Sequence, residues 1–255
     1  MTGRDLLRAA LRDPNVTLVG EAVGVHGVTE GFPEGPQLIR TPLSESATIA
    51  VAAGLAMAGR RVVVELVDPA GLARAADALA DVATLRARSN GSWTAPIVVR
   101  APYAPVSVPG VKVAVAATAE DLVGLLAHAL AGDEPVVLLE ADCALEAQGS
   151  PAEVPGIGAA VVRRAGTGCT VLAVGDGVPA ALAVEGVEVV DLRGLSPIDA
   201  ATVGASVRKT GRAVAVGPEG PLLVALREAF LHLESPLVAV APDAVADAVA
   251  QAIHY

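Results

Sequence analysis

Short, evenly apolar runs alternate along most of the chain with stretches of helical period. Residues 16–20, 61–66 (three consecutive valines), 96–100, 111–115 and 136–140 read as buried strands, each a few residues long and rich in β-branched side chains. Between them, Leu72, Ala75, Ala76, Leu79, Val82 and Leu85 recur near every 3.6 residues and predict one helix over 70–88. A short helix over 3–12 is stopped by Asp13-Pro14. A long helix over 44–58 is expected to take Ser44 as its cap and to end at Gly59. Pro42 keeps Thr41 out of the helical region. Thr118 caps a helix to about residue 131, with Glu120 and Asp121 in its first turn. Residues 21–37, with four Gly and two Pro, form a long loop.

The alternation lapses over 141–158 and then resumes. Strands are expected at 159–164, 169–174, 187–191, 212–216 and 237–240, and helices at 178–184, 199–209, 220–233 and 243–254. Strands regularly followed by helices require crossover connections. The fold class is therefore α/β: two consecutive domains with largely parallel sheets flanked by helices, residues 1–142 and 159–255, joined by a linker over 143–158.

Composition narrows the function. The 255 residues are 53% hydrophobic but 2% aromatic, so the core is built from Ala, Val and Leu, and bases have few rings to stack on. A net charge of −10 with only isolated basic pairs (Arg60-Arg61, Arg86 and Arg88, Arg163-Arg164) argues against nucleic acid. Cys143 and Cys169 form no disulfide framework and no metal motif, and read as small buried hydrophobes. No histidine pair has metal-ligand spacing. The N-terminus lacks the apolar core of a signal peptide, and no apolar run is long enough to cross a membrane, so a soluble, cytoplasmic protein is expected.

Within Arg40-Thr-Pro-Leu-Ser-Glu-Ser46, Glu45 falls in the first turn of a helix at the rim of a sheet. Spacing alone leaves two readings open. The carboxylate complements the helix dipole, or it faces a ligand at the strand ends, where α/β proteins bind them.

Several blocks taken in order bear on this choice. They are Val19-Gly-Glu-Ala-Val-Gly24, Thr41-Pro-Leu-Ser-Glu-Ser46, the run from Gly54 to Glu65, Ala95-Pro-Ile-Val-Val-Arg-Ala-Pro-Tyr103, Pro109-Gly-Val-Lys-Val113, Glu134-Pro-Val-Val-Leu-Leu-Glu140 and the run from Val190 to Asp199. Their order resembles the β subunit of thiamine-diphosphate-dependent 2-oxo acid dehydrogenases, from Leu6 to about Val216. The resemblance implies a transketolase-like pyrimidine-binding domain followed by a transketolase C-terminal domain. It implies half an enzyme: an α-type partner holds the diphosphate through magnesium, this chain holds the aminopyrimidine and no metal, and a second copy of the chain completes a heterotetramer. Glu45 would face the ring nitrogen and share its proton, Leu43 would pack on the ring, and Glu21 would be a second carboxylate near the coenzyme. Glu21 could equally cap its loop. The substrate would be a small 2-oxo acid or ketose.

Two departures stand out. Where the family stacks an aromatic on the pyrimidine, Gly71 stands here, and 67–72 contains no aromatic. The family's glycine-rich loop with its His-Ser-Gln motif is missing, residues 102–109 connecting the flanking strands directly; His26 is the one candidate to replace its histidine. His128, His232 and His254 read as ordinary surface or satisfied residues. The C-terminal domain is trimmed after Val216. Gly175-Asp-Gly177 imitates a magnesium-diphosphate motif, but no Asn follows it, and it reads as a strand-to-helix turn. Gly156-Ile-Gly158 lacks a third glycine at dinucleotide spacing. An active β-type subunit is therefore expected, with a non-catalytic scaffold or regulatory subunit as the alternative and a stand-alone binding protein behind both.

Overall fold

Branched aliphatic side chains restrict the backbone and fill a pleated surface well, and the valine runs accordingly become strands. The computed structural model describes residues 1–104 and 108–255. Its first unit, Met1–Ile157, holds β1 (Val16–Gly20), β2 (Leu38–Arg40), β3 (Arg61–Glu65), β4 (Ile97–Pro102), β5 (Lys112–Ala116) and β6 (Val136–Glu140). They lie in the order β5-β6-β4-β3-β1-β2, every pair parallel. Helices α1 (Gly3–Ala10), α2 (Glu45–Met57), α3 (Gly71–Arg74), α4 (Ala76–Arg88), α5 (Ala119–Ala131) and α6 (Asp142–Glu146) accompany them. A parallel sheet is apolar on both faces, and every residue of β1 and β6 is buried. One core cluster joins Leu7 of α1, Leu18 and Val63 of the sheet, and Leu122 and Leu125 of α5.

The helix expected over 70–88 is two helices. Asp68 accepts the Ala70 N–H at 3.0 Å just ahead of α3, and α3 ends at Arg74, whose carbonyl accepts the Ser46 hydroxyl at 3.0 Å. Periodicity carries across the break, since Leu72 and Leu79 are both buried, and so conceals it. Ser44 does sit at the start of α2 in extended conformation, but its side chain makes no capping hydrogen bond. The Thr48 hydroxyl instead donates to the Ser44 carbonyl at 2.9 Å and lies 2.7 Å from the Thr41 hydroxyl. Gly59, at φ +87°, closes the helix as expected.

Residues 143–158, expected as a linker, contain most of α6, and all but Gly158 belong to the first unit. Gly3 explains the packing. Its N–H donates to the Ala147 carbonyl at 2.9 Å, and a side chain there would meet the Ala144 carbonyl oxygen at 2.0 Å. Thr2 and Asp5 start α1 with a reciprocal capping box, each side chain accepting the other's N–H at 3.1 Å. Of the direct connection expected at 102–109, residues 105–107 lie outside the described residues.

The second unit, Gly158–Tyr255, holds β7 (Val161–Arg164), β8 (Thr170–Ala173), β9 (Glu188–Asp191), β10 (Gly194–Ser196), β11 (Ala213–Val216) and β12 (Val238–Val240). With them come α7 (Gly177–Leu182), α8 (Ala200–Thr210), α9 (Gly220–Ala229) and α10 (Val245–His254). Its sheet runs β12-β11-β8-β9-β7 and is parallel except for β7. Asp199 caps α8, accepting the Thr202 N–H at 3.0 Å, and Gly211 ends it in the left-handed region at φ +70°. Gly175-Asp-Gly177 makes the turn from β8 into α7, where a Gly177 side chain would meet Val216 at 2.8 Å. Cys169 is fully buried and burial pushes its thiol up to about 11, which leaves it inert as a nucleophile.

Candidate functional site

The C-terminal ends of β1 and β3 and the first turn of α2 converge on a small cleft. The Thr41 N–H donates to the Gly20 carbonyl at 3.1 Å, which ties the entry of α2 to the end of β1. Pro42 and the extended Ser44 then aim the helix so that Glu45, its first residue, points back over the sheet rim. The cleft is lined by Glu21, Glu45, Thr48, Leu66, Val67 and Gly71 among others, and its free volume is about 10 Å³, room for roughly one water.

Glu45 has a partner that its sequence neighbourhood did not announce. Arg74, the last residue of α3, donates from Nε to Glu45 Oε1 at 2.8 Å and from a terminal nitrogen to the same oxygen. That terminal nitrogen also reaches Asp68 at 2.6 Å. The Glu45 side chain is 14% exposed, while those of Arg74 and Asp68 are each 49% exposed. The hydrogen bonds from Arg74 hold Glu45 below the ordinary carboxylate range, and Asp68 likewise. Gly71 lies against this pair: a Cβ at this position would sit 3.4 Å from both Cγ and Oε1 of Glu45, close to ordinary contact. A ring on that Cβ would compete with the Arg74 guanidinium for the face of Glu45.

Of the residues singled out from the sequence, Glu21 and Glu45 meet in the cleft, with Gly71 beside them. Leu43 stands 74% exposed outside it. His26 is exposed and lines a different cavity of about 220 Å³, which shares Leu66 and Val67 with the cleft as walls. Deep in that cavity Arg100, fully buried, donates to Glu65 at 2.8 Å and to Glu140, and Glu65 also accepts the Thr29 hydroxyl at 2.8 Å. Burial pushes Glu140 up despite Arg100 beside it; burial also opposes the charge on Arg100, yet the two glutamates outweigh it and hold its pKa up. The signal for this triad was present, since each residue sits where an apolar strand run ends. His128 is satisfied at the surface, its Nε2 lying 2.9 Å from the Val154 carbonyl oxygen.

Comparison with known proteins decides the family. Residues 158–253 match the family described as Transketolase, C-terminal domain. Over 94% of its length the chain is 34% identical to the pyruvate dehydrogenase E1 component subunit beta of Bacillus subtilis, covering 88% of that protein. The chain belongs to the β subunits of thiamine-diphosphate-dependent 2-oxo acid dehydrogenases. The 3-methyl-2-oxobutanoate dehydrogenase subunit beta of Mycobacterium tuberculosis is another relative of this β-subunit family, 33% identical over 92% of this chain and 80% of its own length. Among solved structures, one titled split gene transketolase, inactive beta4 tetramer, superposes with a TM-score of 0.73 at 19% identity, covering 100% of this chain and 98% of that one. A 2-oxoglutarate:ferredoxin oxidoreductase from Magnetococcus marinus gives 0.68 at 14% identity, over 99% of this chain and 65% of that one. At these identities the structural likeness speaks for the fold alone.

Glu45 thus presents a carboxylate at a helix start, in a cleft that Leu66 and Gly71 also line. The space beside it is taken by the Arg74 guanidinium.

Proposed function

We propose that this chain is the β-type half of a two-subunit thiamine-diphosphate-dependent enzyme that acts on a small 2-oxo acid or ketose. The observation that carries this reading is Glu45 at the first turn of α2, facing the cleft at the sheet rim together with Glu21. When bound, the coenzyme supplies the electron sink for breaking the bond beside the substrate carbonyl. Glu45 would hold the proton shared with the aminopyrimidine nitrogen, and Glu21 lines the same cleft. An α-type partner, carrying the diphosphate site with its magnesium, completes the coenzyme pocket.

The surface of α2 supports a partner of this kind. Its outward residues Ala47, Ala50, Val51, Gly54 and Met57 are all exposed, and beyond Glu45 the helix carries no charge. A charge-free helix face of this sort is what obligate subunit interfaces cover. The test is Glu45→Gln in the reconstituted pair. Turnover is expected to fall by about 10²- to 10⁴-fold, and unchanged turnover would overturn the reading.

A second reading, a non-catalytic scaffold that keeps the fold and the interface, draws on the Arg74 guanidinium over Glu45 and the absent ring at Gly71. Calorimetry of thiamine diphosphate on the assembled pair separates the two. Micromolar binding that disappears in Glu45→Gln supports the enzyme, and no binding supports the scaffold.

A further inference from the structure

We infer that the cavity over the C-terminal ends of β3, β4 and β6 binds a small aliphatic monocarboxylate, held by Arg100 and Glu140. This goes beyond the role proposed for Glu45 and does not depend on it.

Sheet register brings the polar groups together. Parallel pairing sets Glu65 of β3 beside Arg100 of β4, and Glu140 of β6 beside Pro102, two residues further along β4. Arg100 donates from Nε to Glu140 Oε1 and from Nη1 to Glu65 Oε2, and Glu65 Oε1 accepts the Thr29 hydroxyl. Glu65 is thereby satisfied at both oxygens. Arg100 Nη2 and Glu140 Oε2 have no hydrogen-bond partner among the described residues. Neither atom is sealed, because the sealed side-chain polar atoms without a partner among those residues are Arg212 Nε and Ser235 Oγ, both in the second unit. Arg100 and Glu140 are only 2% and 8% exposed, and both line the cavity, so the solvent these two atoms meet is the cavity's own. Buried polar groups without a protein partner are the places where water or a ligand completes the hydrogen bonding.

Charge, walls and size select the ligand. Arg100 Nη2 can only donate. Glu140 is pushed up by burial, so it readily takes a proton and then donates from Oε2. One oxygen of a carboxylate meets each donor. With Glu140 protonated, Glu65 and Arg100 cancel, and Arg4 of α1, exposed at the rim, leaves a single positive charge. A singly charged anion neutralises it, and a phosphate dianion overshoots. Val28, Leu66, Pro102 and Leu145 make the walls apolar, which suits an aliphatic remainder. The volume of about 220 Å³ equals roughly seven waters, hence a ligand of about six to eight non-hydrogen atoms.

The test is calorimetric titration of sodium butanoate into the full chain, with butanol and butylammonium as controls of the same length. Butanoate is expected to bind with a dissociation constant on the order of 1 mM, and both controls at least about 10-fold more weakly. Arg100→Lys keeps the cation but loses Nη2 and is expected to weaken butanoate about 10-fold. Should that variant unfold, Arg4→Gln, at an exposed position, decides with an expected loss of about 2- to 3-fold. Glu140→Gln still accepts from Arg100 and donates to the ligand without first taking up a proton. It is expected to bind about 3-fold tighter near neutral pH and to cut the proton uptake that calorimetry in two buffers records; Glu65, Arg100, Arg4 and exposed His26 are the other charged or titratable groups lining the cavity. In the reconstituted pair, butanoate competing with the 2-oxo acid makes the occupant the substrate's own carboxylate, and noncompetitive inhibition makes it a separate ligand; either supports the site. Butanol binding as tightly as butanoate, butylammonium binding tighter, no saturable binding below about 20 mM, or weaker binding by Glu140→Gln overturns it. Since the titration needs neither coenzyme nor partner, its failure leaves the reading of Glu45 standing.

Discussion

At the scale of single residues, position 45 is governed by position 74, with position 71 beside both. Gly71 and Arg74 are three apart on α3 and so share a face, and both lie against the Glu45 side chain. This pairing has a pH signature. Arg74 holds the folded-state pKa of Glu45 below its ordinary 4.5. The stability the pair contributes is then fully present above that value and fades as pH falls through the lower folded value. The difference in melting temperature between wild type and Arg74→Gln is expected to be constant near neutrality and to shrink below about pH 4.5, as scanning calorimetry over pH would record. The triad of Glu65, Arg100 and Glu140 makes a stronger claim, because it is buried. Arg100→Met leaves two carboxylates without their cation and is expected to cost about 3–5 kcal/mol in urea unfolding, where a surface arginine would cost little. The place of Glu45 at a helix start was legible from its motif, and that of Glu21 just past a strand from the apolar run before it. Arg74 could not, because it lies 29 positions from Glu45 and no local pattern couples an arginine at the end of one helix to a carboxylate at the start of another.

At the scale of elements, periodicity located nearly every strand and helix because burial on both sheet faces leaves long apolar signatures. It failed where a tertiary hydrogen bond cut across it. At the break between α3 and α4 the Ser46 hydroxyl donates to the Arg74 carbonyl, and no feature of residues 70–88 registers a partner on α2. The stretch after β6 misled for a different reason. Its Gly and Pro content reads as a connection, but α6 is docked by Gly3 at the far end of the same unit. Ser44 illustrates a third limit: the residue type suits a cap, yet the Thr41–Thr48 hydroxyl pair organises the turn instead. The α1–α6 contact yields a sharp expectation. Gly3→Ala would drive a methyl to 2.0 Å from the Ala144 carbonyl oxygen, and the resulting backbone shift is expected to lower stability by about 1–3 kcal/mol, measurable as a drop in the urea midpoint at unchanged slope.

At the scale of the whole molecule, the chain carries surfaces it does not itself cover. The outward face of α2 is one. On α9 and the turn after it, Leu223, Phe230 and Leu231 are 68%, 66% and 90% exposed. No helix among the described residues is long and apolar enough to cross a membrane, and large apolar side chains grouped at a surface mark sites of association. Ala50→Lys, at an exposed position that accepts a good helix former, is expected to leave the circular dichroism and melting of the chain unchanged while abolishing or sharply weakening its association with the partner subunit in light scattering. An unchanged complex would move the interface off α2.

The hydroxyl of Ser46 has a further consequence. It fastens the start of α2 to the end of α3, so the helix that offers its flank to another polypeptide is stapled to the residue that covers the acid. That link and the Glu45–Arg74 pair both join the first turn of α2 to the residue that ends α3. Ser46→Ala removes one of these ties, and its expected readout is a small drop in the urea midpoint of the chain with the fold retained.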